Sequence, residues 1–263
     1  MRRLLALLSL FSLACLSVLA GTISLDPGLF GNLDQHDTNC AESACGPTAA
    51  VNSFAFLENM YPTIYGNDLI PTTGATYDYG DLVDAADVLA GSTFMDCTAA
   101  GVGISNFISG EEAYMNEYAP GTTVFEIMNF FANGAWPTFN FLYNQLAAGE
   151  DVELLVGFYT TNAEGQLVRN GGHYVTLTGV SFGVPFAAGN GTISFIDPDD
   201  GDSGSMSLST IDGALYNNGT YVNGQYTFIE AAVAESPTPE PGTLLFLAVG
   251  IPALFVLRRR KPA

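Results

Sequence analysis

The chain has 263 residues, 48% of them hydrophobic, and a formal net charge of −20. Six of its seven basic side chains, Arg2, Arg3, Arg258, Arg259, Arg260 and Lys261, stand at the two ends, so Arg169 is the only one in the body, in a chain with 27 acids. Phosphate binding needs basic side chains, so the balance excludes nucleic acid as a partner and anionic membrane surfaces as a target of the body.

Residues 1–20 read as a secretory leader: Arg2 and Arg3, an apolar run over 4–14, and the small-residue cleavage site Val18-Leu19-Ala20. A lipid-modified Cys15 fits less well, because the apolar residue usual three positions before it is missing. Residues 21–235 make one large domain. Residues 21–44 are rich in Gly, Asp and Asn and read as loop. A helix is expected over 45–59, with Pro47 in its first turn and Val51, Phe54, Phe56 and Leu57 available for burial. Further helices are expected over 81–91, 110–118 and 139–148, the last ended by Gly149. Strands follow over 152–159, 172–181, 191–197, 205–208 and 221–232. Helices first and antiparallel strands second predict an α+β domain with N-terminal helices packed on a C-terminal sheet. The acids are expected on a solvated, self-repelling surface.

The chemistry-bearing residues are few. Cys45 opens the first helix, where unsatisfied N–H groups and the helix dipole favour a thiolate. His173 lies in the strand-like Gly172-His173-Tyr174-Val175, and Asp197 ends the run Phe195-Ile196-Asp197. A thiol, a base and a group to orient the base are the parts of a nucleophilic site. If the leader is removed, Cys40, Cys45 and Cys97 remain, an odd number. A Cys40–Cys97 bridge would free Cys45, and a Cys40–Cys45 bridge would abolish the site. The acidic run from Asp197 to Ser203 offers a competing use, since carboxylates around a Gly can wrap calcium, although the order is not that of an EF-hand loop. The histidines and cysteines show no zinc spacing.

Cys45-Gly46-Pro47-Thr48-Ala49, Gly172-His173-Tyr174-Val175 and Phe195-Ile196-Asp197-Pro198 together resemble the C39-like, papain-fold cysteine peptidases, as does the helix–Gly–strand stretch over 142–152. The resemblance covers about residues 35–200. It implies a papain-like fold and hydrolysis of peptide or amide bonds, with Cys45 as nucleophile, His173 as base and acid, Asp197 as its orienting partner and no cofactor. Relatives carry a Gln about six residues before the cysteine as an oxyanion donor. Here Asn39 stands there and Gln35 lies further upstream, so either Asn39 substitutes, or an insertion over 41–44 lets Gln35 reach, or Cys40 is the nucleophile. A non-catalytic module on the same fold is the alternative.

The far end carries a proline-rich linker over 236–242 with the triplet Pro239-Glu240-Pro241, an apolar run over 243–257 and a basic terminal cluster. This tripartite tail, 236–263, resembles the PEP-CTERM sorting signal of Gram-negative bacteria. The resemblance implies processing by an exosortase-type enzyme, a transmembrane helix over 243–257 that anchors the exported chain, and delivery to the cell surface or matrix.

Overall fold

The computed structural model describes residues 21–183, 189–219, 222 and 224–238. The leader at 1–20 and the tail beyond 238 therefore lie outside the described residues. Five helices come first in weight: α1 (Cys45–Met60), α2 (Tyr79–Ala90), α3 (Ile104–Tyr118), the short α4 (Phe130–Asn133) and α5 (Phe139–Ala148). Eight strands accompany them: β1 (Gly21–Ser24), β2 (Thr123–Asn129), β3 (Asp151–Thr161), β4 (Leu167–Phe182), β5 (Gly191–Ile196), β6 (Ser203–Ile211), β7 (Ala214–Asn218) and β8 (Tyr226–Pro237).

Local chemistry explains the helix ends. The Asp78 carboxylate accepts from Gly80 and Asp81, while Asp81 returns a bond to Asp78, a reciprocal cap at the start of α2. Thr138 caps α5, and Gly149, in the left-handed region at φ 86°, ends it. The expected helix over 139–148 is therefore observed to the residue.

The sheet departs from expectation. All pairings are antiparallel, in the order β4-β3-β8-β7-β6-β5, and β5 pairs again with β4. The six strands thus close into a barrel, and β1 and β2 add to the open stretches of β4 and β8. This overturns the expected papain-like α+β layering of helices on a sheet. The reason is that β4 has a strand on each side and the chain of neighbours returns to it, which leaves the ring no free edge. The proline-rich linker also begins later than expected: Ser236 and Pro237 belong to β8 and pair with Val124 and Thr123.

The expected transmembrane segment and C-terminal helical anchor are corrected too. Among the described residues no helix is long and apolar enough to cross a membrane. Residues 243–257 lie outside the described part, and membrane anchoring by a C-terminal helix has no support in the fold.

Two cores follow from the period-two alternation of the strands. Val152, Leu154 and Val156 of β3 join Val175, Leu177, Ile193, Phe195, Met206, Leu215 and Ile229 in a barrel core that α5 covers with Phe139, Leu142 and Leu146. On the other face of β3, Leu155 packs with Tyr174, Ile196, Ala231 and Val233 against α1, α2 and α3. Helix α1 is buried from Gly46 to Glu58, and Thr176 Oγ1 donates to the Ala49 carbonyl at 2.8 Å, which fastens it to β4.

Burial of acids is the second departure. Glu58, Glu111, Asp151, Glu153, Glu230 and Glu235 are buried instead of solvated. Glu58 accepts from the backbone N–H groups of Leu69 and Ile70, both at 2.8 Å. Glu230 receives Arg169 at 2.8 and 2.7 Å and the Tyr159 hydroxyl at 2.6 Å. Gly157 makes room for this group: a Cβ there would lie 2.1 Å from the Glu230 carboxyl carbon.

Candidate active site

The three cysteines of the described chain divide as one bridge and one thiol. Cys40 pairs with Cys97, and Cys45 is free. Cys40 is therefore spent, and of the two candidate nucleophiles only Cys45 keeps its thiol. The bridge ties the turn before α1 to the segment that follows α2, and the Ser43 hydroxyl adds a bond to the Ala99 carbonyl at 3.2 Å. Cys45 is half-buried at the first position of α1, a helix end whose leading N–H groups have no partner within the helix.

His173 on β4 faces Asp197, which directly follows β5. These two strands pair, with Thr176 opposite Ile196. His173 Nε2 lies 2.6 Å from Asp197 Oδ1. The same Oδ1 accepts the Asp199 N–H at 3.1 Å, and the Asp197 backbone is held by bonds to Asp202 and Gly201. Gly201 is required in this turn: it sits at φ 70°, and a Cβ would lie 2.4 Å from the Asn32 carbonyl oxygen. The carboxylate is thus fixed before it meets the imidazole.

Cys45 lies within side-chain hydrogen-bonding reach of the His173 ring, whose Nε2 is taken by Asp197. Burial pulls the imidazole pKa down, but the bonds to Asp197 and Cys45 and their negative charge outweigh it and push it up to about 10. The ring is therefore an imidazolium at neutral pH, with Asp197 on one side and the sulfur on the other. Cys45, His173 and Asp197, drawn from α1, β4 and the end of β5, form one continuous contact chain.

The two oxyanion candidates separate. Asn39 is turned onto α2: its N–H and its side-chain amide both donate to Asp87, at 2.7 and 2.5 Å. Gln35 is buried against the Asp197 turn, where its N–H donates to the Pro198 carbonyl at 2.7 Å and Nε2 reaches Asp199 Oδ1 at 3.3 Å. After both, just ahead of Cys45, Ala41–Ser43 form a 3-10 turn with Ala41 in the left-handed region at φ 33°. Nothing in the sequence alone reveals that Asn39 has a competing acid on α2.

A cavity of about 320 Å³ opens beside Cys45. Val102, Ile104, Phe131, Leu155 and Tyr174 make it largely apolar, Gly171 and Gly172 line one side with bare backbone, and Arg169 stands at its edge. Tyr174 is locked by stacking on Phe107 at 4.5 Å between centroids. The Arg169 guanidinium lies 5.6 Å from the centre of the Phe131 ring. Sequence reasoning missed Phe131 and Leu155, which belong to elements distant in the chain. His36, by contrast, is bound to Asp34 at 2.8 Å on the exposed turn and takes no part in the thiol contact chain. No protein-family model matches the chain, and comparison with curated proteins finds no relative.

Proposed function

We propose that the chain is a cysteine hydrolase that cleaves peptide or amide bonds, with Cys45 as nucleophile, His173 as base and acid, Asp197 as the orienting group and Gln35 as oxyanion donor. The observation that carries this reading is the contact chain Asp197–His173–Cys45 on a thiol that the Cys40–Cys97 bridge leaves free.

The sulfur attacks the carbonyl carbon, its proton having passed to His173. A C–S bond forms and the carbonyl oxygen becomes an oxyanion, met by the Gln35 amide once it leaves Asp199 and by N–H groups at the start of α1. His173 returns the proton to the leaving nitrogen as the C–N bond breaks. Water, deprotonated by His173, then attacks the thioester, and expulsion of the sulfur restores the site. No cofactor enters these steps. The apolar cavity with its glycine-lined wall suits an extended chain with small or apolar side chains next to the cleaved bond. The tail resemblance adds a second proposal, that an exosortase-type enzyme processes the chain.

The test uses the full-length chain and iodoacetamide at pH 6, with peptide mapping of the adduct. Cys45 is expected to react at least about 10-fold faster than a simple thiol, and His173→Ala is expected to remove the advantage. Equal rates in the wild type and a simple thiol would sink the reading and leave a non-catalytic module. A p-nitrophenyl acyl ester then reports turnover: a stoichiometric burst with acyl transfer to Cys45 is expected.

A further inference from the structure

Four carboxylic acids meet between the helices and the outer face of the barrel. Glu111 comes from α3, Asp151 and Glu153 from β3, and Glu235 from β8, where it lies directly opposite Asp151. All four are between 0 and 1% exposed. The Glu235 carboxyl is within hydrogen-bonding reach of those of Glu111, Asp151 and Glu153. Glu111, Glu153 and Glu235 each bring an oxygen to within 4.8 Å of the other two. Apart from the Ser53 hydroxyl beside Glu153 and the acids' own backbone N–H groups at Asp151 and Glu153, no donor N–H or O–H among the described residues outside the cluster serves their carboxyl oxygens.

An independent observation points the same way. The Ser53 hydroxyl, on α1, is fully buried, lies against Glu153 and has no other partner. A polar atom of a different kind, from a fourth element, is thus turned into the same pocket.

Like charges at directly opposed strand positions are unfavourable, and uncompensated ions in a dry interior are far costlier. Among the described residues no Lys or Arg is left to place there, because Arg169, the only one, is committed to Glu230. Backbone help is limited to the acids' own N–H groups at Asp151 and Glu153, in contrast to Glu58, which the N–H groups of Leu69 and Ile70 cap. What remains is an external cation or shared protons. The donor set is all oxygen, drawn from carboxylates and a hydroxyl, with no imidazole or thiolate, and so is hard. Converging carboxylates suit calcium, which takes 6–8 oxygens in flexible geometry, better than magnesium, which demands near-ideal octahedral geometry and keeps several of its waters.

We infer that Glu111, Glu153 and Glu235, with Asp151 and Ser53 beside them, bind one calcium ion that fastens α3 and α1 to the barrel. This site is separate from the thiol site and independent of its chemistry. Its ligands come from α3, β3 and β8, so the ion binds the folded chain and not the unfolded one, and it raises stability by mass action.

The experiment compares the full-length chain in excess EGTA with the same chain in millimolar calcium, by equilibrium dialysis against radioactive calcium and by thermal melting. One ion per chain is expected, retained in the presence of magnesium, with a Tm rise of about 5 °C or more. Glu153→Gln is expected to lose the ion and the calcium dependence of Tm, with Glu111→Gln as the second variant should the first fail to fold. Asp200→Asn/Asp202→Asn, in the exposed turn after β5, is expected to keep both. A wild-type chain whose Tm ignores calcium, or a bound ion that survives Glu153→Gln and Glu111→Gln, would overturn the inference. So would loss of the ion in the turn variant. A rise in Tm on Glu153→Gln without any calcium effect in the wild type would identify shared protons as the occupant instead.

Discussion

His173 Nε2 lies 2.6 Å from Asp197 Oδ1, across a strand pair whose register puts Thr176 opposite Ile196. The carboxylate holds the ring in place and stabilises its protonated form, while the Cys45 sulfur lies within reach of the ring. Asp197→Asn keeps the shape and removes the charge, so esterolysis is expected to fall by about 10²–10⁴-fold, with some loss of stability at neutral pH because the imidazolium loses its counter-charge. Burst and steady-state rates, together with circular dichroism, check this.

The pH dependence of stability has a definite sign at His173. Its folded pKa, about 10, exceeds the ordinary 6.5. The folded state therefore holds the proton more tightly, and the stabilisation is fully present below about pH 6.5 and disappears as pH rises through about 10. Melting curves from pH 6 to 11 are expected to show a decline that His173→Asn flattens.

The buried acids have the opposite ordinary state but the same sign. Burial and mutual repulsion raise the pKa of Glu111, Asp151 and Glu235, and burial takes Glu153 to about 7 and Glu58, likewise, to about 7. Raised carboxyls bind protons in the folded state first, so in EGTA stability is expected to be greater near pH 5 and to fall as pH rises through about 7. Melting of wild type and Glu153→Gln across this window measures the share of the cluster; an unchanged slope in the variant would remove Glu153 from the account.

The Cys40–Cys97 bridge spans a separation of 57 residues. Loop closure on that scale stabilises by about 4 kcal/mol in the chain-entropy account. Cys40→Ser/Cys97→Ser is expected to lose about 2–4 kcal/mol in urea unfolding. Labelling of Cys45 should also slow, because the turn before α1 is no longer tied down.

Removal of the Arg169 charge leaves Glu230 buried with only the Tyr159 hydroxyl. Arg169 is itself partly exposed, so the loss is smaller than for a fully buried pair, and Arg169→Met is expected to cost about 2 kcal/mol. Arg169→Met/Glu230→Gln should recover part of it. A double-mutant cycle in urea checks the coupling.

Some of this was legible from residue order alone. Thr138 and Gly149 mark α5 because capping is local, and Cys45, His173 and Asp197 stand out because each sits at a nameable place on a helix or strand. Other features depend on distant partners. Gly21–Ser24 has too little character to read as a strand and becomes β1 only by pairing with the far end of β4. Asp151 and Glu153 alternate with Val152 and Leu154, the pattern of a strand with one wet face, yet α1 and α3 cover that face. Barrel closure arises from β5 returning to β4, and residue alternation is the same in an open sheet and a closed one. Asn39 illustrates the limit for the site: the position suits an oxyanion donor, but Asp87 takes both its donors.

The two halves of the thiol site have different histories in the chain. His173 and Asp197 are 24 residues apart on neighbouring strands and can find each other within one hairpin. Cys45 reaches them only when α1 docks on β4, through contacts such as Thr176 with Ala49 across a separation of 127 residues. The base is thus assembled locally and the nucleophile arrives with the long-range fold. Until that docking the sulfur lacks its imidazole, so an incompletely folded chain carries an ordinary thiol, and reactivity is itself a signal that folding has finished.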